Sequence, residues 1–263
     1  MGNCCKIMES RLQKSLAGLP LGGIRYLEST GSTNDIALAW AAEGAPDFSI
    51  VVADEQTSGR GRLGRKWFTP AGTALAVSVI LRPGESEREN IAFFSGLGAL
   101  ALVDALKNFG VSAKIKWPND VLIARRKTAG ILVETVWMGL DVESIILGMG
   151  VNVSPAAIPP ETELNFPATC VQSEARGPVE RFDLLHALMV SLVKWRPRVG
   201  TESFLREWQD SLAFRNETVQ VWLGESETVS GVLEGLEADG SLRLDVSGAK
   251  RLIRFGEIHL RPL

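Results

Sequence analysis

Residues 49–81 read SIVVADEQTSGRGRLGRKWFTPAGTALAVSVIL. The β-branched run Ser49–Ala53 and the run Thr73–Leu81 predict two strands. Between them, Gly59-Arg60-Gly61-Arg62-Leu63-Gly64 matches the G-x-G-x-x-G spacing of dinucleotide-binding loops. The match fails on context. That fingerprint must open a helix whose N-terminus meets a pyrophosphate, whereas here Arg65-Lys66-Trp67-Phe68-Thr69-Pro70 leads into another strand. No Walker A sequence occurs in the chain. What remains is a loop with Arg60, Arg62, Arg65 and Lys66 inside seven residues. Such cations repel one another unless an anion binds, and Gly59, Gly61 and Gly64 let the backbone fold closely over a ligand and keep the empty loop flexible. A triphosphate suits it: guanidinium forks neutralise charge at the α-phosphorus, and Trp67 offers a face for a base. A solvated hairpin loop is the plainer alternative, and the density of cations among glycines favours phosphate.

On the N-terminal side, residues 34–43 form an apolar helical run ending at Gly44, with Ser32 or Thr33 available as N-cap. On the C-terminal side, residues 90–109 repeat apolar positions at helical spacing and stop at Gly110. Strands are predicted over 113–117, 121–124, 130–137 and 144–153. Their short connections imply hairpins, so the sheet is mixed rather than doubly wound. Five prolines between Pro155 and Pro178 predict an irregular surface crossing before helices over 181–195 and 201–212. From Glu217 the texture becomes all-β: Val219, Val221 and Leu223 alternate, as do Leu242, Leu244 and Val246, and Asp239-Gly240 reads as a hairpin turn. The expected organisation is a lead-in (1–22), an α+β domain (23–214) and a small β domain (215–263).

The 263 residues carry a net charge of −3, which gives no global basic field for nucleic acid. No apolar run is long enough to span a membrane. Cys4, Cys5 and Cys170 cannot build a disulfide framework, which with the absence of a secretory signal predicts a cytoplasmic protein. The opening MGNCCK reads as a frayed terminus, with palmitoylation of Cys4 and Cys5 left open. His186 and His259 lie far from the motifs, and His186 reads as a helix-surface residue.

Set in its surroundings, Asp54-Glu55-Gln56-Thr57-Ser58 followed by GRGRLGRKW closely resembles the signature of biotin protein ligases. Four further segments resemble that family in the same order: Ser32-Thr33-Asn34, the KWPND of Lys116–Asp120, the K-x-A-G-I-L-x-E of Lys127–Glu134, and the G-x-G-x-N of Gly148–Asn152. Together they cover about residues 28–153, and the tail from 217 looks like the family's C-terminal Src-homology-3-like barrel. The resemblance implies a mixed sheet backed by helices, related to class II aminoacyl-tRNA synthetases and lipoate ligases. It also implies the reaction: biotin and ATP, with Mg²⁺, give biotinoyl-AMP, and the biotinoyl group then passes to a lysine of a biotin carboxyl carrier protein. Repressor members carry a winged helix-turn-helix ahead of the catalytic domain. Only about 22 residues precede the first strand here, so no operator binding is expected.

By the same resemblance, Ser32, Thr33 and Gln56 line the ureido end of biotin, with Asn34, Arg60, Gly61 and Gly130 also against biotin. Capping by Ser32 or Thr33 and ligand contact can coexist. Arg62 is assigned to the α-phosphate and the new acyl-phosphate linkage, and so to biotin as well, and Lys127 to both the biotin carboxylate and the phosphate. Arg60, Arg65, Trp67, Asn119 and Asn152 are placed against ATP and the adenylate. Asp120 is open between a Mg²⁺ ligand, a proton acceptor and a turn residue after Pro118. Lipoate as substrate, a nucleic-acid module and a non-catalytic biotin binder are the competing readings. A homodimer formed by edge-strand pairing is also open.

Overall fold

The computed structural model describes residues 2–164, 166–223, 227–254 and 258–262. The terminus expected to fray continues as helix α1 (Gly2–Ser15). Leu12 and Leu16 are buried in the main core, and the Ser15 hydroxyl donates to the Phe182 carbonyl at 2.9 Å. The side chains of Cys4, Cys5 and His259 lie outside the described residues. Strand β1 (Gly23–Thr30), helix α2 (Thr33–Ala42), and strands β2 (Ser49–Gln56) and β3 (Ala74–Leu81) follow. After a short helix α3 (Glu85–Arg88) comes α4 (Phe93–Leu106), which runs through a further short turn to a left-handed Gly110. Next are β4 (Ala113–Lys116), β5 (Asp120–Ile123), β6 (Arg126–Met138) and β7 (Asp141–Asn152).

These seven strands make one sheet in the order β1-β2-β3-β7-β6-β5-β4. Only β1 and β2 run parallel, so the sheet is mixed as the hairpin spacing predicts. Its centre is covered on both faces. Ile50, Val52, Val77 and Val79 join the large core under α4, whereas Val51, Ile80 and Ile146 pack with Ala37 and Ala41 of α2. Burial on both faces is why β3 reads as a continuous apolar run instead of an alternating one. Helix α4 is buried nearly all round, as a helix between other layers must be.

The proline-rich crossing holds a short helix α5 (Val171–Glu174) and leads to α6 (Arg181–Trp195) and α7 (Glu202–Asp210). His186 is half-buried rather than on the surface, with Nδ1 2.6 Å from the Ser15 carbonyl because α1 lies across α6. The chain ends in β8 (Thr218–Leu223), β9 (Glu227–Leu236), β10 (Leu242–Val246), β11 (Ala249–Ile253) and β12 (Ile258–Pro262). They form an antiparallel sheet, β11-β10-β9-β8-β12, in the place of the expected small barrel. Its inward residues Val219, Val221 and Leu242 run into the same apolar cluster as the main sheet. The Trp117 indole also donates to the Gly240 carbonyl at 3.1 Å, and Arg125 pairs with Glu217 at 2.8 and 2.9 Å. No described helix is long and apolar enough to cross a membrane.

Candidate active site

The segment from Gly59 to Trp67 is a hairpin laid over the sheet. Gly61 N–H donates to the Arg65 carbonyl at 2.7 Å and Trp67 N–H to that of Gly59 at 2.8 Å, with Leu63 left-handed at the tip. Beneath this flap lies a cavity of about 1050 Å³, walled by α2, β6, β7, the Lys116–Asp120 turn and the crossing around Phe166 and Ala168. Every residue singled out in the sequence lines it: Ser32, Thr33, Asn34, Gln56, Arg60, Gly61, Arg62, Arg65, Trp67, Asn119, Asp120, Lys127, Gly130 and Asn152.

One end is neutral. Ser32 occupies the N-cap position of α2 without a side-chain cap bond, and the first helical N–H, that of Thr33, is satisfied by Gln56 Oε1 at 2.9 Å. The Thr33 hydroxyl is 3.1 Å from the same oxygen, and Gln56 Nε2 donates to Thr69 Oγ1 at 3.2 Å. Ser78 Oγ lies 2.8 Å from Thr33 Oγ1 and donates to Asn34 Oδ1 at 2.5 Å. Asn34 fits only because position 148 is glycine: a Cβ there would stand 2.2 Å from Oδ1. The other end of its amide donates to Glu134 Oε2 at 2.6 Å.

The opposite end is charged. Asp120 opens β5, with Oδ2 3.0 Å from Lys116 Nζ and Oδ1 2.6 Å from Lys127 Nζ. Burial opposes its ionisation, but the charges of Lys127 and Lys116 win and hold the carboxyl well below the usual carboxylate range. Arg62 Nη1 donates to Asn119 Oδ1 at 3.2 Å, while Asn119 Nδ2 is fixed by the Ile131 carbonyl at 2.8 Å. Burial lowers the Arg62 proton affinity against the pull of Asp120, and Arg65 adds to the lowering. Arginine does not release its proton in proteins, so that direction marks a charge that burial disfavours and that an anion bound beside it would favour.

The Biotin/lipoate A/B protein ligase family model matches residues 26–152. A "Biotin--[acetyl-CoA-carboxylase] ligase" of Paracoccus denitrificans is 35% identical over 88% of this chain and 98% of its own length. The chain belongs to the biotin/lipoate A/B protein ligase family. The ligase is also 30% identical to the "Bifunctional ligase/repressor BirA" of Escherichia coli, over 94% of this chain and 76% of that protein. Among solved structures, "Biotin protein ligase from Aquifex aeolicus in complex with biotin and ATP" superposes with a TM-score of 0.79 at 26% identity, covering 92% of this chain and 99% of that one.

Several expected ligand contacts turn out to be engaged within the ligase itself. Arg60 faces away from the charged end and binds Asp35 through both nitrogens, at 2.7 and 2.6 Å. The Asp35 bond raises its proton affinity. Asn152 donates to the Thr169 carbonyl at 3.1 Å and so ties down the crossing. The Trp67 ring packs on Gly130 and Gly150, where a Cβ at position 150 would stand 2.3 Å from Nε1. Its Nε1 is buried with no hydrogen-bond partner among the described residues, and Lys127 Nζ is 5.4 Å from the ring centroid. Next to Lys127, the exposed Arg125 pairs with Glu217, and Arg126 with Glu174 at 2.5 Å.

Asp120 does not fit a resident Mg²⁺ site, because both its oxygens are taken by lysines and no group of three potential ligands converges among the described residues. Nor is it a turn residue, since it pairs with Lys116 and Gly130 in the sheet. Roles for Lys116, Ser78, Asp35 and Glu134 were missed. Ser78 had a signal, as the lone polar residue in an otherwise apolar strand. Lys116 and Glu134 stand inside motifs without a pattern of their own to assign them a partner.

Proposed function

We propose that this ligase joins biotin to ATP as biotinoyl-AMP and passes the biotinoyl group to a lysine of a biotin carboxyl carrier domain. The observation that carries this reading is the Asp120 carboxylate holding Lys116 and Lys127 beside Arg62 at one end of a cavity whose other end is neutral. A ureido ring needs fixed neutral donors and acceptors, which Thr33, Ser32 and Gln56 provide. A carboxylate approaching a phosphate needs cations, which Lys127 and Arg62 provide.

In the first step a biotin carboxylate oxygen attacks the α-phosphorus, and the bond to the β-phosphate bridging oxygen breaks, releasing pyrophosphate. The nucleophile is already ionised, so positioning and charge neutralisation suffice and no general base is needed. In the second step the neutral amine of the acceptor lysine attacks the acyl carbon, the bond from that carbon to the phosphate oxygen breaks, AMP leaves, and the surplus amine proton passes to the departing phosphate or to water. A carboxyl with the low proton affinity of Asp120 is a poor proton acceptor, so its part is to place the two lysines. The flap excludes water from the mixed anhydride.

The test is pyrophosphate release with biotin and ATP, followed by the mass gain of one biotinoyl group on a lysine of a carrier domain. Pyrophosphate release that needs no biotin, or that lipoate supports better, would overturn the proposal. In Arg62→Ala, adenylate should leak from the protein and turnover should fall by about tenfold or more, with biotin binding largely intact. Adenylate retention equal to wild type in that variant would sink the assignment of Arg62.

A further inference from the structure

Three of the motifs also converge behind the cavity wall, where Arg60 and Asn34, which line the cavity, meet two carboxylates that do not. Arg60 of the flap holds Asp35 on the first turn of α2 with paired bonds of 2.7 and 2.6 Å. The same guanidinium lies 3.4 Å from both oxygens of Glu134 on β6. Glu134 in turn accepts the Asn34 amide at 2.6 Å. Neither Asp35 nor Glu134 lines the cavity.

The flap carries four cations, and their mutual repulsion favours an open loop. Two carboxylates on the body of the protein neutralise one of them from outside. Closing therefore needs less compensation from a bound anion, and Arg62 is left for the reacting end. The paired fork also fixes direction: with Arg60 held on α2, the next turn of the hairpin brings Trp67 down onto Gly150.

We propose that Asp35 and Glu134 are positioning residues that clamp Arg60 and so set how long the flap retains the activated intermediate, without touching it. This inference rests on the adenylate-forming reading above. The pairs are partly exposed, with side-chain accessibilities of 38% for Arg60, 50% for Asp35 and 31% for Glu134, so salt reaches them.

The experiment generates biotinoyl-AMP on the enzyme from biotin and ATP in the presence of pyrophosphatase, removes free nucleotide by rapid desalting, and follows adenylate escape. Asp35→Asn, Glu134→Gln and the double variant are compared with wild type. Loss of the clamp should speed escape by about tenfold in the double variant and about threefold in Asp35→Asn. Raising salt from about 0.05 to about 0.5 M should speed escape from wild type but not from the double variant, a response that a merely structural role would not produce. The ligand-free melting temperature should move by no more than about 2 °C. Equal escape rates, or the same salt response in wild type and the double variant, would overturn the clamp. Should the double variant fail to fold, Asp35→Asn, at an exposed position, decides alone. A wild-type enzyme that forms no adenylate overturns the functional reading instead, so the two failures are distinguishable.

Discussion

The two ends of the cavity are built from different physics. The end around Thr33, Gln56 and Ser78 is a chain of neutral groups that satisfy one another at 2.8 to 3.2 Å, held by a helix start and by the space that Gly148 leaves for Asn34. The end around Asp120 is an ionic cluster of Lys116, Lys127 and Arg62 in which cations outnumber the carboxylate. Neutral hydrogen bonds select and orient a ligand, and respond weakly to salt and pH. An ionic cluster with surplus positive charge is what a phosphate transition state strengthens. The division teaches that recognition and chemistry can be perturbed separately.

The strongest way to break the division is Asp120→Asn. It leaves the buried Lys116 and the half-buried Lys127 without their counter-ion, so stability should fall by about 3 kcal/mol and adenylation should collapse with it, seen by thermal melting and pyrophosphate release. Acid melting sharpens the point. The folded Asp120 carboxyl is held well below its unfolded value near 4, so its contribution is present above about pH 4 and disappears as pH falls towards the folded value. The variant should lose that part of the acid slope, and an unchanged slope would contradict the assignment.

Lys127→Ala should come next, cutting single-turnover pyrophosphate release about 100-fold while raising the KM for biotin far less. A loss confined to KM would make Lys127 a simple tether. At the neutral end, Thr33→Val should raise the KM for biotin about fivefold with kcat and the pH profile little altered, because only uncharged bonds, to Gln56 and Ser78, are removed. A large change in kcat would erase the contrast between the ends.

The sequence carried much of this, and what it withheld has a physical reason. Strands β2 and β3 and helices α4 and α6 announce themselves by uninterrupted apolar runs or helical spacing, since burial dictates them. The family motifs named residues that line the cavity, but not their partners and not the wall contributed by Phe166 and Ala168 of the proline-rich crossing. Arg60 and Arg62 are two positions apart in near-identical surroundings, yet one turns to Asp35 and the other to Asn119. Only the hairpin geometry separates them. Asp35 looked like any acidic residue in a first helical turn, and Glu134 meets Asn34 across 100 positions of chain, a pairing no local pattern encodes. Strand β6 begins at Arg126, ahead of the predicted start, because Arg126 and Lys127 pair with Ile123 and Leu122 of β5, and Lys127 also exchanges backbone bonds of 2.7 and 2.9 Å with Pro167 and Thr169.

The bond from the Trp117 indole to Gly240 has a consequence for the architecture of the enzyme as a whole. Trp117 sits between Lys116 and the Asn119-Asp120 pair, so the terminal β module grips the reactive turn from behind like a buttress. That module therefore braces the turn that carries Lys116 and Asp120, and its loss would slacken the loop that aligns the cations.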